Sequence, residues 1–78
     1  MENTSMPQTF IIHRGKTNQK VRGKMQVTIN SQTGQRFLVG DELIKTLHWK
    51  DRDGSRKVDE VYMPVRIEIT GCSITIKG

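Results

Sequence analysis

The residues able to do chemistry in this chain are few and badly spaced for it. His13 and His48 stand 35 positions apart, each beside an apolar run, the setting of an ordinary sheet histidine. A metal site would need both to converge with the lone Cys72, and no spacing in the sequence suggests that. Asp51 and Asp53 resemble the opening of a calcium loop. That loop needs glycine where Arg56 stands and glutamate where Tyr62 stands, so the pair reads as turn chemistry. Gly15-Lys16-Thr17 echoes a phosphate loop without its Walker spacing, and no Ser-His-Asp or Cys-His arrangement is marked out. The expectation is a protein that is not an enzyme and uses no metal or cofactor. Cys72, in an alternating apolar pattern, is expected to be a small core residue.

Charge is the more informative chemistry. The formal net charge is +5, and its distribution is uneven. Residues 1–40 carry Arg14, Lys16, Lys20, Arg22, Lys24 and Arg36 against Glu2 alone, whereas residues 41–78 carry seven bases and seven acids. No acid lies between Asn3 and Gly40, so nothing local in sequence neutralises the stretch RGKTNQKVRGK at 14–24, in which five of eleven residues are basic. Such a stretch can contact phosphates and release their counterions, and its glycines let the backbone approach closely. Within it only Asn18 and Gln19 could pair with base edges, which implies positioning rather than sequence readout.

The elements that must hold these residues are strands. The chain has no alanine, three leucines and 22 β-branched residues, a composition suited to pleated surfaces and poor for helices. At 78 residues there is room for one domain with a thin core. Residues 1–8 read as a loose lead and 9–78 as a single β domain. Phe10-Ile11-Ile12 is far too short for a signal core or a membrane span, so a soluble, cytoplasmic protein is expected.

Thr9–His13 is the first expected strand, and 14–24 then reads as a flexible cationic loop. From Lys24 to Asn30 the pattern alternates, with Met25, Val27 and Ile29 on one face. Ser31 to Gly34 has the chemistry of a type I turn with a left-handed glycine, returning the chain through Phe37-Leu38-Val39. Gly40-Asp41 suggests a corner followed by one short helical turn within 41–47, or a direct run into a strand through Trp49. Asp51-Arg52-Asp53-Gly54 is a second hairpin turn, and Pro64 must sit at a bulge or a sheet edge. Finally, Val65, Ile67 and Ile69 alternate on one side of Thr70-Gly71 and Cys72, Ile74 and Ile76 on the other, which predicts a closing hairpin whose last strand lies at an uncovered edge.

Five or six short strands in so small a chain predict a mainly β fold, a small antiparallel, strongly bent sheet or barrel of the oligonucleotide-binding or Src-homology-3-like type. The portion VGDELIKTLHWKDRDGSRKV, residues 39–58, locally resembles the third-strand region of ribosomal-S1-type barrels. The aromatic N-terminal strands by which those domains hold RNA have no counterpart here. The function expected is a small basic module that contacts nucleic acid through Arg14, Lys16, Lys20, Arg22, Lys24 and Arg36, with Trp49 or Tyr62 stacking on bases. The alternative is a regulator, inhibitor or assembly subunit that binds an acidic protein surface, with homodimerisation through the uncovered edge compatible with either.

Overall fold

The computed structural model describes residues 6–78, which form five strands: β1 (Gln8–Arg14), β2 (Thr17–Ile29), β3 (Arg36–Lys50), β4 (Arg56–Glu68) and β5 (Ser73–Lys77). They make one antiparallel sheet in the order β4-β3-β2-β1-β5. The described residues include no helix, hence none long and apolar enough to cross a membrane. The first five residues of the expected lead lie outside the described residues, and Gln8 already pairs with Gly23.

Local turn chemistry accounts for the connections. Arg14 pairs with Thr17, so only Gly15 and Lys16 link β1 to β2. Gly15, at φ 56, takes the left-handed first position of a II′-type turn. The stretch 14–24 is therefore not the flexible loop expected from its charge. Val21 and Gly23 are buried between exposed Lys20, Arg22 and Lys24, the same two-residue period that continues through Met25–Ile29. Gly34 (φ 76) and Gly54 (φ 86) close the next two turns, each through an amide bonded back to the turn's first carbonyl, Asn30 and Asp51 respectively. In the second of these, Ser55 bonds the Asp53 carboxylate through its hydroxyl and backbone N–H and holds that carboxyl below its ordinary 3.8.

The sheet is strongly bent along β2. Its first half pairs with β1 and its second half with β3, and Gly23 is the residue shared by both ladders. Thr17, level with Arg14, and Thr28, level with Phe37 and Glu68, are eleven residues apart and would lie about 36 Å apart on a straight strand. Yet Arg14 Nη2 donates to the Glu68 carbonyl at 2.8 Å. Only a β2 curled through its middle brings those ends within reach of one side chain. Phe10, Ile12 and Val21 from one half then meet Leu38 and Ile69 from the other in a common core, with Met25, Val27, Ile67, Cys72 and Ile74 packed around it. No ladder joins β4 to β5, so the sheet is rolled without being closed into a barrel.

The expected pairing of the last two strands is overturned. The Thr70-Gly71 turn exists, with Gly71 at φ 78 and the Cys72 amide on the Ile69 carbonyl at 3.0 Å, but it makes no hairpin. β4 and β5 lie at opposite edges and β5 pairs with β1. The corner is anchored elsewhere. Ile69 is fully buried and its N–H donates to the Arg36 carbonyl at 2.9 Å, while the Arg36 N–H donates to Thr70 Oγ1 at 3.0 Å. Alternation on both sides of a turn says which face each residue takes and not which strand lies beside it. Of the two readings of 41–47, the direct run into a strand holds and the helical turn does not: Asp41 is paired with Lys24 on one side and Pro64 on the other, which leaves it no helix to cap. Pro64 itself sits in an unbroken edge strand, where a missing amide donor is tolerated.

Beyond Glu42, β3 loses β2 as a neighbour and pairs only with β4. The chain from 43 to 62 is thus a two-stranded ribbon projecting from the rolled sheet. It gives the molecule extents of 54 × 34 × 19 Å and a radius of gyration of 15.8 Å, against about 11.5 Å for a compact chain of this length. The core is correspondingly small. Ile69→Ala, which empties its centre, is expected to cost about 2–5 kcal/mol, a large share of the stability of a domain this size. Ile76→Ala, at a half-exposed position, should cost under about 1 kcal/mol. Urea midpoints of the two variants measure the difference.

Candidate nucleic-acid interface

Because paired residues in adjacent strands share a face, the register assigns every strand charge to a side. The inner face carries Phe10, Ile12, Val21 and Leu38. The outer face carries Lys20, Arg22 and Lys24 from β2, Lys77 from β5, Lys50 from β3, and Arg56 and Arg66 from β4. Against these seven bases stand three acids, Asp41, Glu60 and Glu68. Such a surplus on one convex face raises the local potential seen by an anion.

The centre of this face is the row Lys20-Arg22-Lys24, whose members recur about every 6.7 Å along β2. Arg22 Nη1 donates to Thr9 Oγ1 at 2.9 Å, and Thr9 pairs on its other side with Lys77. The Lys24 ammonium lies 5.0 Å from the centroid of the Tyr62 ring, and Arg66 lies 4.2 Å from that of Phe37, both cation–π contacts that leave the charge at the surface. His13 bridges Asn18 Oδ1 at 3.0 Å and Thr75 Oγ1 at 2.8 Å on the same side.

Of the residues singled out by sequence, the structure brings together Lys20, Arg22 and Lys24, with Tyr62 beside them. Lys16 stands apart at the tip of the β1–β2 turn. Arg14 and Arg36 turn to structural work. Arg14 donates to Gln19 Oε1 at 3.3 Å, to Cys72 Sγ at 3.8 Å and to the Glu68 carbonyl, and Arg36 Nη1 donates to the Cys72 carbonyl at 2.9 Å. The two guanidiniums thereby hold the corner that carries the chain from β4 to β5. Trp49 lies near the end of the ribbon on the inner face, its Nε1 donating to Asp59 Oδ2 at 2.9 Å, remote from the Lys20–Lys24 row. Lys50, Arg56, Arg66 and Lys77 were not singled out, since only the pairing of distant strands collects them on one side.

Among the described residues no group of three or more His, Cys, Asp or Glu is placed to hold a metal ion. Comparison of the chain with known protein families, with curated proteins and with solved structures returns no match.

Tyr62 reports on the electrostatics of this face. Desolvation raises its phenol above the ordinary 10.0, and Glu60 adds to the rise by accepting a hydrogen bond from the phenol hydroxyl at 2.9 Å and by repelling the phenolate, while Arg22 pulls the other way. Tyr62 is the only tyrosine, so ultraviolet titration reads it alone. The midpoint is expected above 10.0 and should fall in Glu60→Gln, which removes the charge that disfavours ionisation.

Proposed function

We propose that this chain is a small non-catalytic module that contacts nucleic acid through phosphates, using the outer face of its sheet, with Lys20, Arg22 and Lys24 at the centre of the contact. The observation that carries the reading is the segregation of charge, seven bases against three acids on one face. On this reading the rolled sheet is an open relative of the oligonucleotide-binding or Src-homology-3-like barrels. It works in the cytoplasm, where the free thiol of Cys72 stays reduced.

The geometry suits backbone contact and not base readout. Lysines and arginines on alternate positions of a strand form a row of point charges along which a phosphate chain can lie, each contact releasing a counterion. Asn18 and Gln19, the residues able to read base edges, are engaged by His13 and Arg14. Tyr62 is the aromatic nearest the row and serves as the stacking group if bases are turned inward. A convex face encloses little of its ligand, so the affinity is modest and tolerant of sequence. The alternative partner is an acidic protein surface, favoured by β5, an edge strand that among the described residues has no neighbour beyond it and could pair with an extended segment.

The two readings separate in a salt titration with labelled single- and double-stranded oligonucleotides. For duplex DNA the expected slope of log K against log salt is about −0.9 per phosphate contacted, so Lys20→Gln, Arg22→Gln and Lys24→Gln together should flatten it by roughly 2.7 and weaken binding equally across sequences. Absence of binding at low salt would remove the nucleic-acid reading and leave the protein partner.

A further inference from the structure

The ribbon beyond the rolled sheet poses a separate problem, because its inner face exposes large apolar side chains among its charges and nothing among the described residues covers them. Between Leu43, paired with Tyr62, and Lys45, paired with Val61, β3 contains one surplus residue, Ile44. A bulge of this kind shifts all later side chains of its strand to the opposite face. Without it Leu47 and Trp49 would point outward among the cations. With it they share the inner face with Val61 and Met63, and these four and the bulge residue Ile44 itself are 36 to 55 % exposed. The exposed apolar area is on the order of 500 Å², at the upper end of what a monomer leaves in water, and an isolated two-stranded ribbon is marginal without cover.

We infer that this face is the contact surface for a second copy of the same chain, packed antiparallel across a two-fold axis. The charges on the face select that occupant. From foot to tip its paired rows are Glu42 with Met63, Lys45 with Val61, Leu47 with Asp59, and Trp49 with Lys57. Each row holds one apolar and one charged side chain, and the signs run minus, plus, minus, plus. Laid over itself in parallel, the pattern sets like charge on like in all four rows. Reversed, it sets every acid over a row that carries a base, Glu42 over the row of Lys57 and Asp59 over the row of Lys45, with Met63 near Trp49 and Val61 near Leu47. An isologous contact requires this kind of self-complementarity. Two such faces bury roughly 1,000 Å² of apolar surface, which with the charged rims reaches the range of a specific interface. The arrangement also turns both cationic outer faces away from each other, so the net charge of +5 on each chain does not oppose it at close range.

The test uses the full chain in analytical ultracentrifugation over a range of concentrations, read alongside the emission of Trp49, the only tryptophan. A monomer–dimer equilibrium is expected, with Trp49 emission moving to shorter wavelength as the dimer fills. Leu47→Asp should leave a monomer. Glu42→Lys and Lys57→Glu should each weaken association by about tenfold or more, and the double variant should return to within about threefold of the original, a rescue that misfolding does not produce. The Lys20, Arg22 and Lys24 neutralisations should not alter self-association, so this inference and the nucleic-acid reading fail separately. Three outcomes overturn it: a chain that stays monomeric at hundreds of micromolar, a dimer indifferent to the ribbon variants, or Trp49 emission that moves only when an oligonucleotide is added.

Discussion

The approach of β2 to β3 at Gly23 and Gly40 is closer than any side chain would permit. A Cβ on Gly23 would fall on the carbonyl oxygen of Asp41, and one on Gly40 on that of Lys24, whose neighbour Met25 is the ladder partner of Gly40. Gly40 also holds φ 146, a region that L side chains rarely adopt. At this crossing β2 exchanges β1 for β3 as its neighbour, and the curl of the sheet is made there. The core depends on it, since Phe10 and Leu38 are paired to β2 at Val21 and Val27, six residues apart, and meet only because the strand between them bends. The Arg14 clamp depends on it as well, because it reaches the Glu68 carbonyl, which a flat sheet would place far away.

The bent sheet sorts the side chains by parity. Even and odd positions of each strand go to opposite faces, so charge that looks diffuse in sequence becomes one-sided in space: four net positive charges on the outer face, and a neutral set of two acids and two bases on the inner side of the ribbon. The rolled half of the inner face is filled by its own core. The ribbon half is not, and the surplus residue at Ile44 gathers its apolar side chains there. The two faces therefore differ in chemistry, one cationic and the other apolar with alternating charge.

What could be read from the sequence follows the range of the physics involved. Turns were legible because their chemistry is local: Gly34, Gly54 and Gly71 all hold the positive φ that their positions implied. Facing was legible wherever apolar residues alternate, as at Met25, Val27 and Ile29. Neighbours were not, and the expected hairpin at Thr70-Gly71 failed because β5 is claimed by β1, a choice set by the burial of Ile69 and by the two arginines. The strand at 17–24 was hidden because exposed lysines suit a loop and the outside of a strand equally well. On the candidate outer face, charge density alone marked Lys20, Arg22 and Lys24. It also marked Arg14 and Arg36, whose structural bonds no composition could disclose, and it missed Lys50, Arg56, Arg66 and Lys77, whose shared face is a product of register.

Parity at the bulge restricts how the ribbon can vary between relatives of this chain. One residue gained or lost on either strand between the foot and the tip would exchange the greasy side for the charged one over the rest of that strand. Two residues gained on each strand would preserve facing but add a further charged row. The plus–minus alternation would stay in phase with its own reversal only when the number of rows remains even. For two copies packed as inferred above, length changes in the ribbon come as whole double rows, about 13 Å at a time.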